Sequence, residues 1–378
     1  MTLHTLKKNT ARLGMAVMGL LISLITAETL LRIVDEPPPT VSGWRARADD
    51  GSTNQLGFRG RRISYSSNDY VVVLLGDSQV EAVYCAFDQM PERQLERYIG
   101  ADLGTGASVK VFSLGAGGYG QDQQFLVLKE YLSRFRADMV ILWETPANDV
   151  WNNMFPTHMP RSGIPKPTFR LVDGQLVGPT EEMGSVVRGT ESRLWRYWVS
   201  TFSLSLRDER WEQYLPSPYA PMITYTGVVN ESWQKRWDGG TGLMRQENLE
   251  TEKTHFAINL NPFSPRMKYG LELTRRLLEE IQSLVTRHGG SFLVFNVVPA
   301  GDKASEEVHM LNKKYYRTST LQRDENIASM NKGLPWMTIP ITVVSWRVSP
   351  TDSHLNVSAN DQVMRDLATQ AIQRYRRP

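Results

Sequence analysis

DYVVVLLGDSQ, residues Asp69 to Gln79, runs five apolar side chains, Val71 to Leu75, straight into a Gly-Asp-Ser corner. A continuous Val/Leu run of this length belongs to a strand buried on both faces of a parallel sheet. Glycine reaches backbone angles closed to other residues, so Gly76 is expected to permit the turn that lifts Asp77 and Ser78 off the sheet's carboxyl edge. Open α/β folds place their sites at that edge. Ser78 therefore stands where a nucleophile would stand, or, on the plainer reading, where a serine caps the next helix.

The same rhythm repeats on the C-terminal side. A helix is expected around Pro91 to Ile99, a second strand at Val109 to Ser113 and a helix at Gln121 to Phe135 with Phe125, Leu128 and Leu132 at helical spacing. A third buried strand, Met139 to Trp143, leads to Asn148. Strand and helix in alternation predict an α/β fold, a doubly wound parallel sheet with helices on both faces. Three successive strand ends then deliver Ser78, Gly118 and Asn148 to one edge.

These blocks resemble the SGNH/GDSL esterase and acyltransferase superfamily. LLGDSQ is similar to its first block, and SLGAGGYGQDQ, Ser113 to Gln123, to its second, with Gly118 at the oxyanion-hole glycine. TPANDV, Thr145 to Val150, is similar to the third, with Asn148 at the oxyanion-hole asparagine, and TDSHLN, Thr351 to Asn356, to the fourth. The chain departs from the family at three points. Pro146 stands where the third block usually has Gly, Asp352 and His354 are two apart rather than three, and Ser113 stands where Asn is common. An N-terminal apolar segment and NQLGFRG, Asn54 to Gly60, are shared with membrane-anchored bacterial members.

The resemblance implies a Ser78, His354, Asp352 triad, with an oxyanion hole made by the Ser78 and Gly118 backbone N–H groups and the Asn148 side-chain amide. Asp77 and Asp149 are expected to turn inward and brace the loops. It implies an exported ester hydrolase or O-acyltransferase, acting on an acylated small molecule or on envelope or secreted polysaccharide, with polysaccharide-biosynthesis proteins as candidate partners. A reading of another class stays open: an inactive envelope protein whose altered blocks record a lost activity and which binds glycan or a partner.

Residues 1–35 form the N-terminal segment. Lys7, Lys8 and Arg12 precede an uncharged run from Leu13 to Ala27, the arrangement of an export signal. Fifteen residues fall short of the roughly twenty that span a bilayer, which favours cleavage. Thr29 to Val34 continues the helical pattern, and Glu28 and Arg32 lie one turn apart, which favours an uncleaved anchor. A buried helix of a soluble protein is the third reading. Residues 36–68 are linker and lead-in, opened by EPPPT, Glu36 to Thr40, which no helix continues through.

Residues 69–150 and 266–378 are assigned to the two parts of the α/β domain, and 151–265 to an insertion or cap. Within the insertion, FRLVDGQLVG, Phe169 to Gly178, reads as a hairpin about Asp-Gly, and Ser192 to Leu204 as an amphipathic helix. Trp195, Trp198, Trp211, Trp233 and Trp237 either stack on a sugar or an acyl chain, or pack as the insertion's own core. In the last part a helix is expected at Met267 to His288 and a strand at Ser291 to Val298. Lys303 to Lys332 reads as a polar connection, Trp336 to Val344 as an edge strand or loop, and Ser358 to Tyr375 as a closing helix.

Composition narrows the function classes. The chain has 378 residues, 41% of them hydrophobic, enough for a large core. A net charge of +3 and one short basic tail, Arg374 to Arg377, give no nucleic-acid footprint. Cys85 is the single cysteine, so no intramolecular disulfide forms. No cofactor is expected: GAGGYG does not match GxGxxG, and six scattered histidines spell no zinc site.

Overall fold

The computed structural model describes residues 3–34, 52–103, 108–154, 157–158, 164–180, 194, 257–261, 263, 265–300, 306–311, 314–350 and 352–375. The Ser192 to Leu204 helix, apart from residue 194, and the five tryptophans between 195 and 237 lie outside them.

The first strand, β1 (Tyr70–Gly76), lies second from one edge of a five-stranded sheet. A four-residue helix, α2 (Ser78–Glu81), follows, then α3 (Pro91–Leu103), β2 (Val109–Gly115), α4 (Gln121–Leu132), β3 (Met139–Trp143) and α5 (Pro146–Met154). After the hairpin β4 (Thr168–Val172) and β5 (Gln175–Thr180) come α6 (Pro265–Arg287) and β6 (Ser291–Pro299). A second hairpin, β7 (Glu306–Leu311) and β8 (Lys314–Ser319), leads to α7 (Thr320–Met330) and β9 (Trp336–Ile341). The chain closes with β10 (Arg347–Ser349), β11 (Asp352–Leu355) and α8 (Val357–Tyr375).

The sheet order is β9-β6-β3-β1-β2, and all four pairings are parallel. Strand β1 feeds β2 on one side, and the chain then crosses back to β3 on the other. This is a topological switch point, and it lies at the Ser78 corner. Alternate residues of β1 serve opposite faces: Val71, Val73 and Leu75 pack with α4 and α6, and Val72 and Leu74 with α3 and α8. The sheet is therefore wound on both faces, as the Val/Leu run predicted. Each fully buried Leu or Val contributes about 1.5–3 kcal/mol relative to exposure.

Both edges of the sheet are closed by side chains, which keeps other chains from adding to them. On β2, Val111 N–H donates to Glu96 and Ser113 N–H to Glu92, each at 2.8 Å. The Val111 carbonyl accepts from Arg61 Nε and Nη2, and the Ser113 carbonyl from Asn54 Nδ2 at 2.9 Å. Residues Asn54 to Arg61 thus run as a strap along this edge. At the other edge Gln362 bonds the Pro340 carbonyl and the Thr342 N–H.

Three sequence expectations change. The polar stretch from Lys303 to Lys332 contains the β7–β8 hairpin and α7 rather than a plain connection. Helix α7 buries Ile327 and Met330 but leaves Leu321 exposed, so its apolar period is too faint to read. Its start is set by Ser319, whose hydroxyl accepts from the Gln322 N–H. Gly76, second, does not adopt a left-handed conformation. Its role is close packing: a Cβ on Gly76 or on its register partner Gly115 would come within 2.6 Å of Val80 in α2. Third, Asn148 lies in the first turn of α5 rather than on the strand.

The Asp-Gly hairpin forms as read, with Asp173 at φ 51° and Gly174 at φ 74°, the two positive angles of a type I′ turn. Phe169 packs with Leu126, Met154, Leu273 and Leu277, so this part of 151–265 is fastened to α4, α5 and α6. None of the apolar window Gly14–Leu31 of helix α1 (Leu3–Val34) is buried. At 1.5 Å per residue that window is about 27 Å long, close to the roughly 30 Å of a bilayer's hydrocarbon. Among the described residues it is the one helix long and apolar enough to cross a membrane.

Candidate active site

The site is assembled at the carboxyl ends of β3, β1 and β2. Ser78 opens α2 directly above β1, Gly118 lies in the loop after β2, and Asn148 in the first turn after β3. All three are half-buried, open enough to meet a ligand. Gly118 has φ +76°, the left-handed region that glycine enters without strain.

His354 and Asp352 arrive on β11, from the far end of the chain. Alternate residues of a strand share a face, so a spacing of two is the one that aligns them here. His354 Nε2 lies 2.8 Å from Ser78 Oγ. On its other side His354 Nδ1 is 2.5 Å from Asp352 Oδ1, which also accepts the His354 backbone N–H at 3.0 Å. Burial alone would raise the Asp352 carboxyl, but these bonds from His354 outweigh it and hold the group below the usual carboxylate range.

Several residues that the sequence did not single out hold this site together. The Gln79 side chain accepts the Leu355 N–H, tying the histidine's strand to the serine's helix. Asn356 caps α8 through Ala359 N–H and donates to the carbonyls of Ser345 and Arg347, which fixes the β10–β11 hairpin. The Tyr84 ring lies against the His354 imidazole, with centroids 5.2 Å apart and planes at 38°. Glu81 reaches across to accept the Gly117 N–H at 2.8 Å. Apart from the local Asn356 cap, these contacts leave no local pattern, because they act across the fold rather than along the chain.

Asp77 and Asp149 both turn inward. Asp77 caps α2 through the Gln79 N–H at 2.9 Å and accepts from Asn148 Nδ2 at 3.1 Å, so it holds the amide of Asn148. Burial raises its carboxyl, against the pull of those two donors. Asp149 accepts from Gln121 Nε2 and the Thr145 N–H, each at 2.7 Å. Its carboxyl is raised well above the usual range, by burial first and then by the charges of Asp77 and Glu144. Cys85 is buried, and burial pushes its thiol up. No group of three or more His, Cys, Asp or Glu that could hold a metal occurs among the described residues.

Glu144, at the end of β3, is the third carboxyl beneath the site. Burial pushes it up to about 7, opposed by the Asn331 and Asn296 amides that donate to Oε2 at 2.9 and 3.5 Å. Its folded value lies above the ordinary one, so the folded state binds the extra proton. Stability therefore falls as pH rises from about 4.5 to about 7, by on the order of 3 kcal/mol. Glu144→Gln is expected to remove that slope and to raise Tm at pH 8. Melting curves at pH 5, 6.5 and 8 check it, and parallel parent and variant profiles would refute it.

No family model matches the chain, and no curated protein matches it. Among solved structures it is similar to a putative arylesterase from Agrobacterium tumefaciens str. C58, at 12% identity and TM-score 0.35 over 80% of this chain and 99% of that one. It is similar also to the acetyl xylan esterase Est2A from the rumen bacterium Butyrivibrio proteoclasticus, at 9% identity and TM-score 0.35 over 83% and 66%. A third is a carbohydrate acetylesterase family member from Sinorhizobium meliloti, at 12% identity and TM-score 0.30 over 80% and 98%. Scores of this size assign neither family nor activity.

Proposed function

We propose that this chain is a serine-dependent ester hydrolase or O-acyltransferase whose catalytic domain works outside the cytoplasm, held at the membrane by α1. The observation that carries the proposal is the hydrogen-bonded line from Ser78 Oγ to His354 Nε2 and from His354 Nδ1 to Asp352. A serine hydroxyl is a poor nucleophile until a base within hydrogen-bond reach takes its proton. His354 takes the Ser78 proton as Oγ attacks the ester carbonyl, and returns it to the leaving alkoxide. Asp352 holds the imidazole tautomer and stabilises its charged form.

The tetrahedral oxygen is stabilised by the backbone N–H groups of Ser78 and Gly118 and by the Asn148 amide. Asn148 Nδ2 carries two hydrogens, and Asp77 takes one, which leaves the other for that oxygen. Water as acceptor completes ester hydrolysis, and a sugar hydroxyl completes O-acyl transfer by the same serine chemistry. Acylated polysaccharide of the envelope is the substrate class the sequence resemblance implies, with polysaccharide-biosynthesis proteins as candidate partners.

The test is p-nitrophenyl acetate hydrolysis by the full chain in detergent, beside labelling with a fluorophosphonate probe. Turnover, or stoichiometric labelling lost in Ser78→Ala, supports the proposal. A folded parent that neither turns over nor labels refutes it.

A further inference from the structure

The strap from Asn54 to Gly60 has more than one target. While Asn54 and Arg61 serve the edge of β2, Arg59 points elsewhere. Its Nη1 donates to the carbonyls of Glu81 at 3.1 Å and Ala82 at 2.5 Å, and its Nη2 to the carbonyl of Cys85 at 2.8 Å. These carbonyls belong to the last turn of α2 and the bend that follows it, the helix that Ser78 opens.

The physical need for a clasp there is plain. A helix of four residues has almost no internal hydrogen bonding, and its last carbonyls have no intrahelical partners. Ala82 is held left-handed at φ 47°, a conformation costly for a residue with a Cβ. A guanidinium offers five donors in a planar fork, which suits convergent oxygens better than an ammonium does. The strap itself is well placed to present it. Asn54 Oδ1 accepts the N–H groups of Leu56 and Phe58, and Gly57 closes a turn onto the Asn54 carbonyl.

What the clasp holds is the site. Upstream of it is Ser78, three residues before Glu81. Downstream is Tyr84, whose ring lies against His354. Sideways, the Glu81 carboxylate bonds the Gly117 N–H next to Gly118. Nucleophile turn, histidine wall and oxyanion loop thus converge on the segment that one guanidinium binds.

We infer that Arg59 is a positioning residue of the site: it fixes the α2 turn so that Ser78, the Gly117–Gly118 loop and Tyr84 are held in register with His354. It rests on the serine mechanism proposed above, and it extends that mechanism to a segment about twenty residues before the serine in the chain.

The experiment compares Arg59→Ala, Arg59→Lys and Arg61→Ala with the parent, in kcat and KM for p-nitrophenyl acetate, in Tm and in hydrogen exchange of the peptide covering residues 78–85. The Arg61 side chain serves the sheet edge, Glu96 and the Phe112 ring, so Arg61→Ala is expected to lower Tm and leave the kcat of folded protein unchanged. Arg59→Ala is expected to lower kcat ten- to hundredfold, the size that a misplacement of about 1 Å produces, with KM little changed. Arg59→Lys falls between, and added guanidinium at millimolar concentration restores part of the alanine variant's kcat. Exchange rises in 78–85 while β1 stays protected. If the alanine variant does not fold, the lysine variant decides: parent kcat in a folded Arg59→Lys overturns the inference, as does a kcat loss shared equally by Arg61→Ala. An inactive and unlabelled parent would sink the serine mechanism instead, and unchanged exchange in 78–85 would then sink the clasp as well.

Discussion

His354→Ala is expected to lower kcat for ester hydrolysis by about 10⁴-fold or more, and Ser78→Ala by a similar factor. The two are expected to be far from additive, because base and nucleophile act as one unit: His354 Nε2 lies 2.8 Å from Ser78 Oγ, in reach of the proton the nucleophile must lose. Asn148→Ala removes one oxyanion donor and is expected to cost about a hundredfold, with the triad intact. The order of these effects is the diagnostic. A double variant Ser78→Ala/His354→Ala slower than either single by a further 10³-fold or so would mean that the two residues act independently, and the triad reading would fail.

Asp122→Ala is expected to destabilise the fold by about 3–5 kcal/mol, which lowers Tm by roughly 10 °C. The Lys166 side chain is 1% exposed, and its Nζ pairs with Asp122 and donates to the Asn152 carbonyl at 2.6 Å. Burial pushes the Asp122 carboxyl up and the Lys166 amine down, and each partner pulls the other back towards its charged form. Removing one leaves the other buried with nothing to balance it. Replacing both, as Asp122→Leu/Lys166→Met, takes away the desolvation cost along with the attraction and is expected to recover most of the loss. Denaturant melts of the three variants check this. Equal losses in the single and double variants would show that the pair's charge is not what the site needs. The pair also fastens residues 164–180 to α4 and α5, so the single variant is expected to expose the β4–β5 hairpin to protease first.

How far the fold could be read from the sequence differs by element. The runs VVVLL and MVILW are apolar on both strand faces and VKVFS is mostly so, and a buried parallel strand is what such runs form, so β1, β2 and β3 were legible within a residue or two. Helix α7 and the β7–β8 hairpin were not. Their strand and helix residues are mostly polar, and pairing and a serine cap define them rather than an apolar period. Gly76 was legible as necessary, yet the reason differed. A turn needs backbone freedom, whereas the contact with Val80 needs a missing side chain, and only packing tells the two apart.

The same division runs through the site. Ser78, Gly118, Asn148, Asp352 and His354 could be named from four ordered blocks, because each block sits at a strand end or beside the closing helix. By itself the sequence determined the alternation of elements and which residue types arrive at the sheet's carboxyl edge, since hydrophobic periodicity and local turn chemistry are properties of neighbours along the chain. Tertiary structure alone decided that a spacing of two serves Asp352 and His354, because they lie on a strand whose alternate side chains share a face. It decided too that the Arg59 guanidinium meets the carbonyls at the end of the serine's helix and that Glu81 reaches the Gly117–Gly118 loop. Hydrogen bonds between residues more than twenty apart leave no trace in local pattern, and only the closed sheet brings their partners within 3 Å or so.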